Sequence, residues 1–176
     1  MERVEKITLS RSMKISTAVF FVIILGTGIA VPLCVFLNAP WGIGIAVLIY
    51  LAILFGVILS LVFTLAPQKI VLDDTQFTML RKSGKVSLPY SQMTDIQMYQ
   101  RKGQGIVIRR FGIGGVLGDA GSFYNKKLGK YTAYVGDYSQ AFVIDMKNGK
   151  KYMFSCEHAP QVVEMVKEKI AAGEGQ

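Results

Sequence analysis

The chain has 176 residues, of which 51% are hydrophobic, and 20 Lys and Arg against 12 Asp and Glu give it a net charge of +8. The apolar content is concentrated, because every residue from 15 to 68 is uncharged. Such a run excludes a simple soluble globular protein, and two cysteines are too few for a disulfide scaffold. The composition therefore indicates membrane segments followed by one small domain.

The uncharged run is too long to cross a membrane only once. A helix over these 54 residues would measure about 80 Å, whereas the hydrocarbon core is about 30 Å thick. Asn38-Ala39-Pro40 favours a turn, which predicts an α-helical hairpin with spans at 15–37 and 41–66. Cleavage of the first span as a signal peptide is disfavoured, because Leu37 stands where the cleavage site needs a small residue.

The distribution of basic residues predicts the orientation of this hairpin. Four Lys or Arg precede the first span, none lies in the loop and sixteen follow the second span. By the positive-inside rule we expect both termini in the cytoplasm, with residues 1–14 as an N-terminal tail. Neither span contains an ionisable residue, so transport of protons or ions through the hairpin is disfavoured.

Small residues four positions apart recur in both spans. Gly26 and Ala30 form one such pair, and Gly42 and Ala46 form the other. Small side chains let helix backbones approach closely, so these pairs favour packing either within the hairpin or between two copies of the chain. The alternative is that they reflect only the ordinary tolerance of membrane helices for glycine.

The part that follows the spans reads mostly as short strands and ends in a helix. We place a cytoplasmic domain at 67–171 and a flexible tail at 172–176. Asn148-Gly149 between two strand-like runs predicts a β-hairpin. Pro160 suits the first turn of a helix, and apolar residues then recur at helical spacing: Val162, Val163, Val166 and Ile170. This pattern predicts about seven strands capped by an amphipathic helix.

Two stretches of this domain resemble the bacterial pleckstrin-homology-like domain family. They are the glycine-rich segment 110–115 with Gly118 and Gly121-Ser122-Phe123, and the segment 151–155 followed by Ala159-Pro160-Gln161-Val162-Val163. The layout is also similar, with two N-terminal transmembrane helices ahead of the domain. The resemblance implies a bent antiparallel sandwich or barrel closed by the C-terminal helix, in a multi-pass protein of the bacterial inner membrane. It implies no chemistry, since this fold serves many binding tasks.

No catalytic, metal-binding or cofactor-binding motif is evident in the sequence. Counted from Gly112, the sixth residue of the glycine run is Leu117, so the dinucleotide-binding fingerprint is not met. His158 is the only histidine, and Cys156 stands too close to it to resemble spaced zinc ligands. We therefore expect a protein that is not an enzyme and that needs neither cofactor nor metal.

Basic residues in or beside predicted turns are the candidate binding residues. If the turns converge, they form a positive rim for an anionic surface: Arg101, Lys102, Arg109, Arg110, Lys126, Lys127, Lys130, Lys150 and Lys151. The alternative is that these residues only solvate the turns and supply the charge that inside orientation requires. Our first hypothesis is a membrane-anchored module that binds another protein or itself. The alternative is a domain whose rim binds anionic lipid head groups. An enzyme with an unrecognised site around 112–123 is more remote, and nucleic-acid binding lacks the usual aromatic and basic platform.

Overall fold

A computed structural model describes residues 3–38, 40–100 and 105–174 as a helical hairpin joined to a domain of two sheets and a C-terminal helix. The elements in chain order are β1 (Arg3–Lys6), α1 (Arg11–Asn38), α2 (Trp41–Leu65), β2 (Pro67–Leu72), β3 (Gln76–Arg81), β4 (Gly84–Pro89), β5 (Met93–Met98), β6 (Val107–Ile113), β7 (Asp119–Asn125), β8 (Gly129–Val135), β9 (Ala141–Met146), β10 (Lys151–Ser155) and α3 (Ala159–Glu174).

The hairpin breaks where the sequence predicts it. α1 ends at Asn38, whose Nδ2 donates to the Cys34 carbonyl oxygen at 2.8 Å, and α2 begins at Trp41. Both helices are long and apolar enough to cross a membrane, and almost none of either is buried against the rest of the described chain. The two helices touch through aromatic contacts, including the Phe21 and Phe63 rings with centroids 6.2 Å apart.

The first sheet is antiparallel, with the strand order β1-β2-β3-β4. Its edge strand β1 corrects our expectation that residues 1–14 form only a tail. β1 pairs with β2 from Arg3 opposite Leu72 to Lys6 opposite Lys69. A strand of four mostly charged residues has no recognisable alternation of its own, and its partner follows only after the whole hairpin.

The second sheet has the order β5-β9-β10-β8-β7-β6. Its pairings are antiparallel except for β10 with β8, which run parallel with Tyr152 opposite Thr132. β7 was not predicted, because its sequence Asp-Ala-Gly-Ser-Phe-Tyr-Asn is rich in residues typical of turns. The expected mainly-β fold with a C-terminal helix is confirmed, with more strands than predicted and one parallel pair.

The main core lies between the two sheets and is closed by α3. Phe77 and Ile70 from the first sheet pack with Phe142 and Phe154 from the second, and all four are fully buried. The four apolar residues predicted for the inner face of α3 are also buried: Val162, Val163, Val166 and Ile170. The opposite face of the second sheet carries a smaller apolar cluster around Tyr131 and Met153.

A cluster of polar side chains around Glu5 fastens β1 to the start of α3. The Arg3 Nε donates to Glu5 Oε1 at 2.8 Å, and His158 Nδ1 lies 3.1 Å from Glu5 Oε2. Burial opposes the ionisation of Glu5, but hydrogen bonds from His158 and Arg3 outweigh it, so the pKa of Glu5 lies below its ordinary value of 4.5. The ionised carboxylate therefore stabilises the fold.

Replacing Val166 with Asp should destabilise the domain, because the new carboxylate would be buried beneath α3 without a partner. We expect the free energy of unfolding to fall by at least about 3 kcal/mol, measured by denaturation of the full chain in detergent. Ala171→Asp, on the exposed side of the same helix, is the control with the same charge change. Equal stability of the two variants would show that the buried face of α3 is misassigned.

The Glu5 cluster predicts a pH dependence. A pKa lowered by folding contributes stability that is present above the unfolded value of 4.5 and lost as the pH falls through the folded value. Glu5→Gln should therefore melt below the wild type at pH 6, and the difference should shrink toward pH 3. Glu157→Gln, which alters an exposed carboxylate nearby, should match the wild type at both pH values. A difference for Glu5→Gln that does not change with pH would contradict the role of its charge.

Candidate functional site

The two ends of the second sheet carry different residues, and the pairing of its strands shows which loops lie at each end. At one end, which we call the helix-proximal end, the Ser10 amide donates to the Gly136 carbonyl oxygen at 3.0 Å just after β8. The connection between β6 and β7 also meets α1 there, since Ser16 Oγ donates to the Gly115 carbonyl oxygen at 2.5 Å. The opposite end carries the β7–β8 and β9–β10 turns.

Lysines gather at the end of the sheet that is opposite the helix-proximal end. The parallel pairing of β10 with β8 brings Lys150 beside Lys130, where both border a cavity of about 280 Å³. Lys151 forms an ion pair with Asp145 at 3.0 Å, and the other lysines are exposed. We call this group the lysine surface: Lys126, Lys127, Lys130, Lys147, Lys150 and Lys151.

The predicted basic rim is therefore divided. Arg109 and Arg110 lie within the edge strand β6, away from the lysine surface, and both are exposed. The Arg109 Nη1 reaches the Gly114 carbonyl oxygen at 3.5 Å, which directs it toward the helix-proximal end. Arg101 and Lys102 lie outside the described residues. Lys147 joins the lysine surface through the β9–β10 turn.

The predicted helix-packing residues do not form the contact within the hairpin. Gly26, Ala30, Gly42 and Ala46 are all exposed, and a Cβ added at either of these glycines would meet no atom within 4 Å. The close contact instead involves Gly28, where an added Cβ would lie 3.2 Å from the Phe55 ring. In the described hairpin these four residues face outward, and their packing between copies of the chain stays a prediction.

The glycine-rich segment has a structural explanation in the β6–β7 ladder. Gly112 and Gly121 stand directly opposite each other with φ of +117° and +142°. An added Cβ would lie 2.1 Å from the Ala120 carbonyl oxygen at Gly112 and 2.2 Å from the Phe111 carbonyl oxygen at Gly121. The two backbones are therefore too close for any side chain, so these glycines shape the strand pair.

The connection that follows β6, residues 114–118, is held by specific polar contacts. Asp119 accepts from the Gly115 amide at 2.8 Å and from the Tyr138 hydroxyl at 2.5 Å. Leu117 has φ of +54°, a left-handed conformation that costs about 1–2 kcal/mol for a side-chain-bearing residue. Its amide donates to Thr17 Oγ1 at 3.0 Å. The only sequence signal for this contact is a pair of polar residues, Ser16-Thr17, at the start of an apolar span.

Two cavities flank this connection. One of about 490 Å³ is bordered by Arg109, Asp119 and Tyr138, and one of about 600 Å³ lies between Asp119, Asp137 and the first turns of α1. Burial, reinforced by the nearby Asp119 carboxylate, raises the pKa of Tyr138 above its ordinary value, so the phenol stays protonated at neutral pH.

The residues most suited to nucleophilic or metal chemistry are engaged elsewhere. Burial raises the pKa of Cys156 to about 12, so its thiol is not an activated nucleophile. His158 contacts Glu5 in the cluster that fastens β1. Within residues 3–38, 40–100 and 105–174, no three His, Cys, Asp or Glu side chains group so that they could hold a metal ion.

Gly121→Ala should destabilise the chain, because its methyl group would collide with the backbone of β6 in a strained conformation. We expect a loss of roughly 2–4 kcal/mol in the free energy of unfolding. Gly84→Ala is the control, with a similar φ of +133° but no atom within 4 Å, and should cost about 1–2 kcal/mol. Equal losses would show that the close approach of β6 and β7 is unimportant.

Comparison with known proteins gives one match. A family model described as Bacterial PH domain matches residues 68–170, from the second residue of β2 into α3. No curated protein and no solved structure matches the chain. PH-like domains are generally non-catalytic, and the two apolar helices ahead of the match agree with a membrane-anchored member. Since the match covers more than half of the sequence, the chain belongs to the Bacterial PH domain family.

Proposed function

We propose that this protein is a non-catalytic module, anchored by its helical hairpin in the bacterial inner membrane, that binds a protein partner on the cytoplasmic side. The anchoring part rests on two exposed helices long and apolar enough to span a bilayer. The cytoplasmic orientation rests on the four basic residues that precede the first span and on Lys69, Arg81 and Lys82 soon after the second, with no basic residue in the loop. The pairing of β1 with β2 supports an arrangement in which both ends of the hairpin lie on the same side of the membrane.

The placement of the lysine surface is the observation that carries the partner proposal. α1 bonds to the helix-proximal end of the second sheet, whereas the lysine surface lies at the other end of the same strands. β8 has seven residues, so the two ends are about 20 Å apart. The lysines thus face away from the point where the helices would enter the bilayer.

This placement favours a protein partner over the lipids of the same membrane. For the lysine surface to reach those head groups, the domain would have to release the contacts between α1 and the loops after β6 and β8. A cluster of exposed lysines facing the cytoplasm suits an acidic protein segment, which it would attract by charge complementarity. The edge strand β6 offers main-chain groups for strand addition as a further contact.

The partner proposal is tested by reversing charge on the lysine surface. The full chain is purified in mild detergent from its native host, and co-purifying proteins and lipids are identified by mass spectrometry. We expect a stoichiometric partner whose contact segment is acidic. Lys126→Glu, Lys127→Glu and Lys130→Glu together should weaken its binding by roughly 10-fold or more at low salt.

A matched triple variant controls for net charge. Lys69→Glu, Lys85→Glu and Lys167→Glu change the charge equally at exposed positions outside the lysine surface, and should retain the partner. Loss of the partner in both triple variants would show a nonspecific charge effect and contradict the proposal. If the first triple variant instead loses only bound anionic lipid, the lipid alternative is correct.

A further inference from the structure

The connection between β6 and β7 lies at the depth where α1 enters its apolar segment. The uncharged run begins at residue 15, and the next two residues carry the hydroxyls that bond to residues 115 and 117. If α1 spans a bilayer, a segment that bonds to this part of α1 lies at the membrane interface. We call residues 114–118 the docking loop.

The strand that leads into the docking loop exposes apolar side chains beside α2. β6 lies against α2, and Phe111 near its helix-proximal end is 79% exposed. Ile108, opposite Tyr124, is also exposed on the same face of the sheet. On the neighbouring strands of the second sheet this face is covered by the first sheet, but at Phe111 and Ile108 no described residue covers it. An uncovered phenylalanine beside an apolar helix is a side chain that can bury at the boundary between lipid head groups and acyl chains.

Positive charge accompanies this apolar strand. Arg110 occupies the bulge in the β6 ladder between Arg109 and Phe111, and its side chain is exposed. An arginine beside an interfacial aromatic can bury its stem among apolar groups while its guanidinium meets lipid phosphates. The strand therefore combines the two features by which a protein surface binds an anionic bilayer.

We propose that the docking loop and the adjoining end of β6 rest on the bilayer that α1 and α2 span, with Phe111 in the interfacial layer and Arg110 at the phosphates of anionic lipids. The proposal depends on the membrane anchoring proposed above but not on the lysine surface. The lipid contact would fix the domain upright, with the lysine surface directed away from the membrane.

A second copy of the chain fits this strand less well. Antiparallel pairing of two β6 strands about their midpoint would set Arg110 opposite its own copy. Like charges directly opposite in a ladder repel each other. Contact with anionic lipid instead gives the same arginine a partner of opposite charge.

The test measures the depth of Phe111 with a tryptophan probe. Trp41 is the only tryptophan, so Trp41→Phe provides a silent background for Phe111→Trp in the full chain. The protein is reconstituted in vesicles of phosphatidylcholine and phosphatidylglycerol, with and without bromine on the acyl chains. We expect blue-shifted emission at position 111 and a strong loss of intensity with brominated lipid.

Tyr124→Trp in the same background is the matched control, since it lies on the same face but roughly 7–10 Å farther from the helix-proximal end. It should be quenched by aqueous acrylamide and only weakly by brominated lipid. Equal quenching by brominated lipid at both positions, or none at position 111, would overturn the proposed docking. Arg110→Glu should reduce quenching at position 111 in phosphatidylglycerol vesicles more than in pure phosphatidylcholine, and an unchanged value would refute its role.

Flotation of the same samples separates the two proposals. A chain that does not float with vesicles would contradict both the membrane anchoring and the docking. A chain that floats but leaves the probe at position 111 unquenched contradicts the docking alone.

Discussion

The short ladder between β1 and β2 is the constraint on which the arrangement of the whole chain depends. It joins the segment before α1 to the segment after α2, so the two ends of a long helical hairpin leave the domain side by side. The ladder continues in a hydrogen bond from the Ile7 amide to the Gln68 carbonyl oxygen at 3.2 Å. Because both helices are held at their bases, the hairpin and the domain have a defined relative position.

Because of this defined position, one end of the domain lies next to the helices and the other lies far from them, which the family fold alone does not imply. The end of the second sheet next to α1 carries hydroxyl and carboxylate contacts, together with an uncovered aromatic strand. The distal end carries the exposed lysines. One β-domain therefore carries two chemically different surfaces, an apolar and basic one beside the helices and a lysine-rich one at the far end.

Elements with strong local signals could be predicted from the sequence, and elements defined by distant partners could not. The hairpin break, the Asn148-Gly149 turn and the buried face of α3 follow from turn chemistry and periodicity. β1 and β7 lack such signals, since one is mostly charged and the other rich in small polar residues.

The candidate surfaces show the same limit. The grouping of Lys130 with Lys150 depends on a parallel pairing of strands separated in sequence, and the separation of Arg109 from them depends on the strand order. Neither is encoded in local spacing. The outward position of Gly26 and Gly42 depends on how the two helices rotate against each other, which small residues alone do not determine.

The β1–β2 ladder also links strand pairing to the biogenesis of the protein. β1 is synthesised before the two apolar helices, and its partner β2 emerges only after both helices have been made. A chain in which a single helix had crossed the membrane would leave the two strands in different compartments, and the ladder could not close. If the hairpin spans a membrane, the first sheet can therefore be completed only after both helices have crossed it, and a chain with a single crossing would keep an unpaired edge of β2.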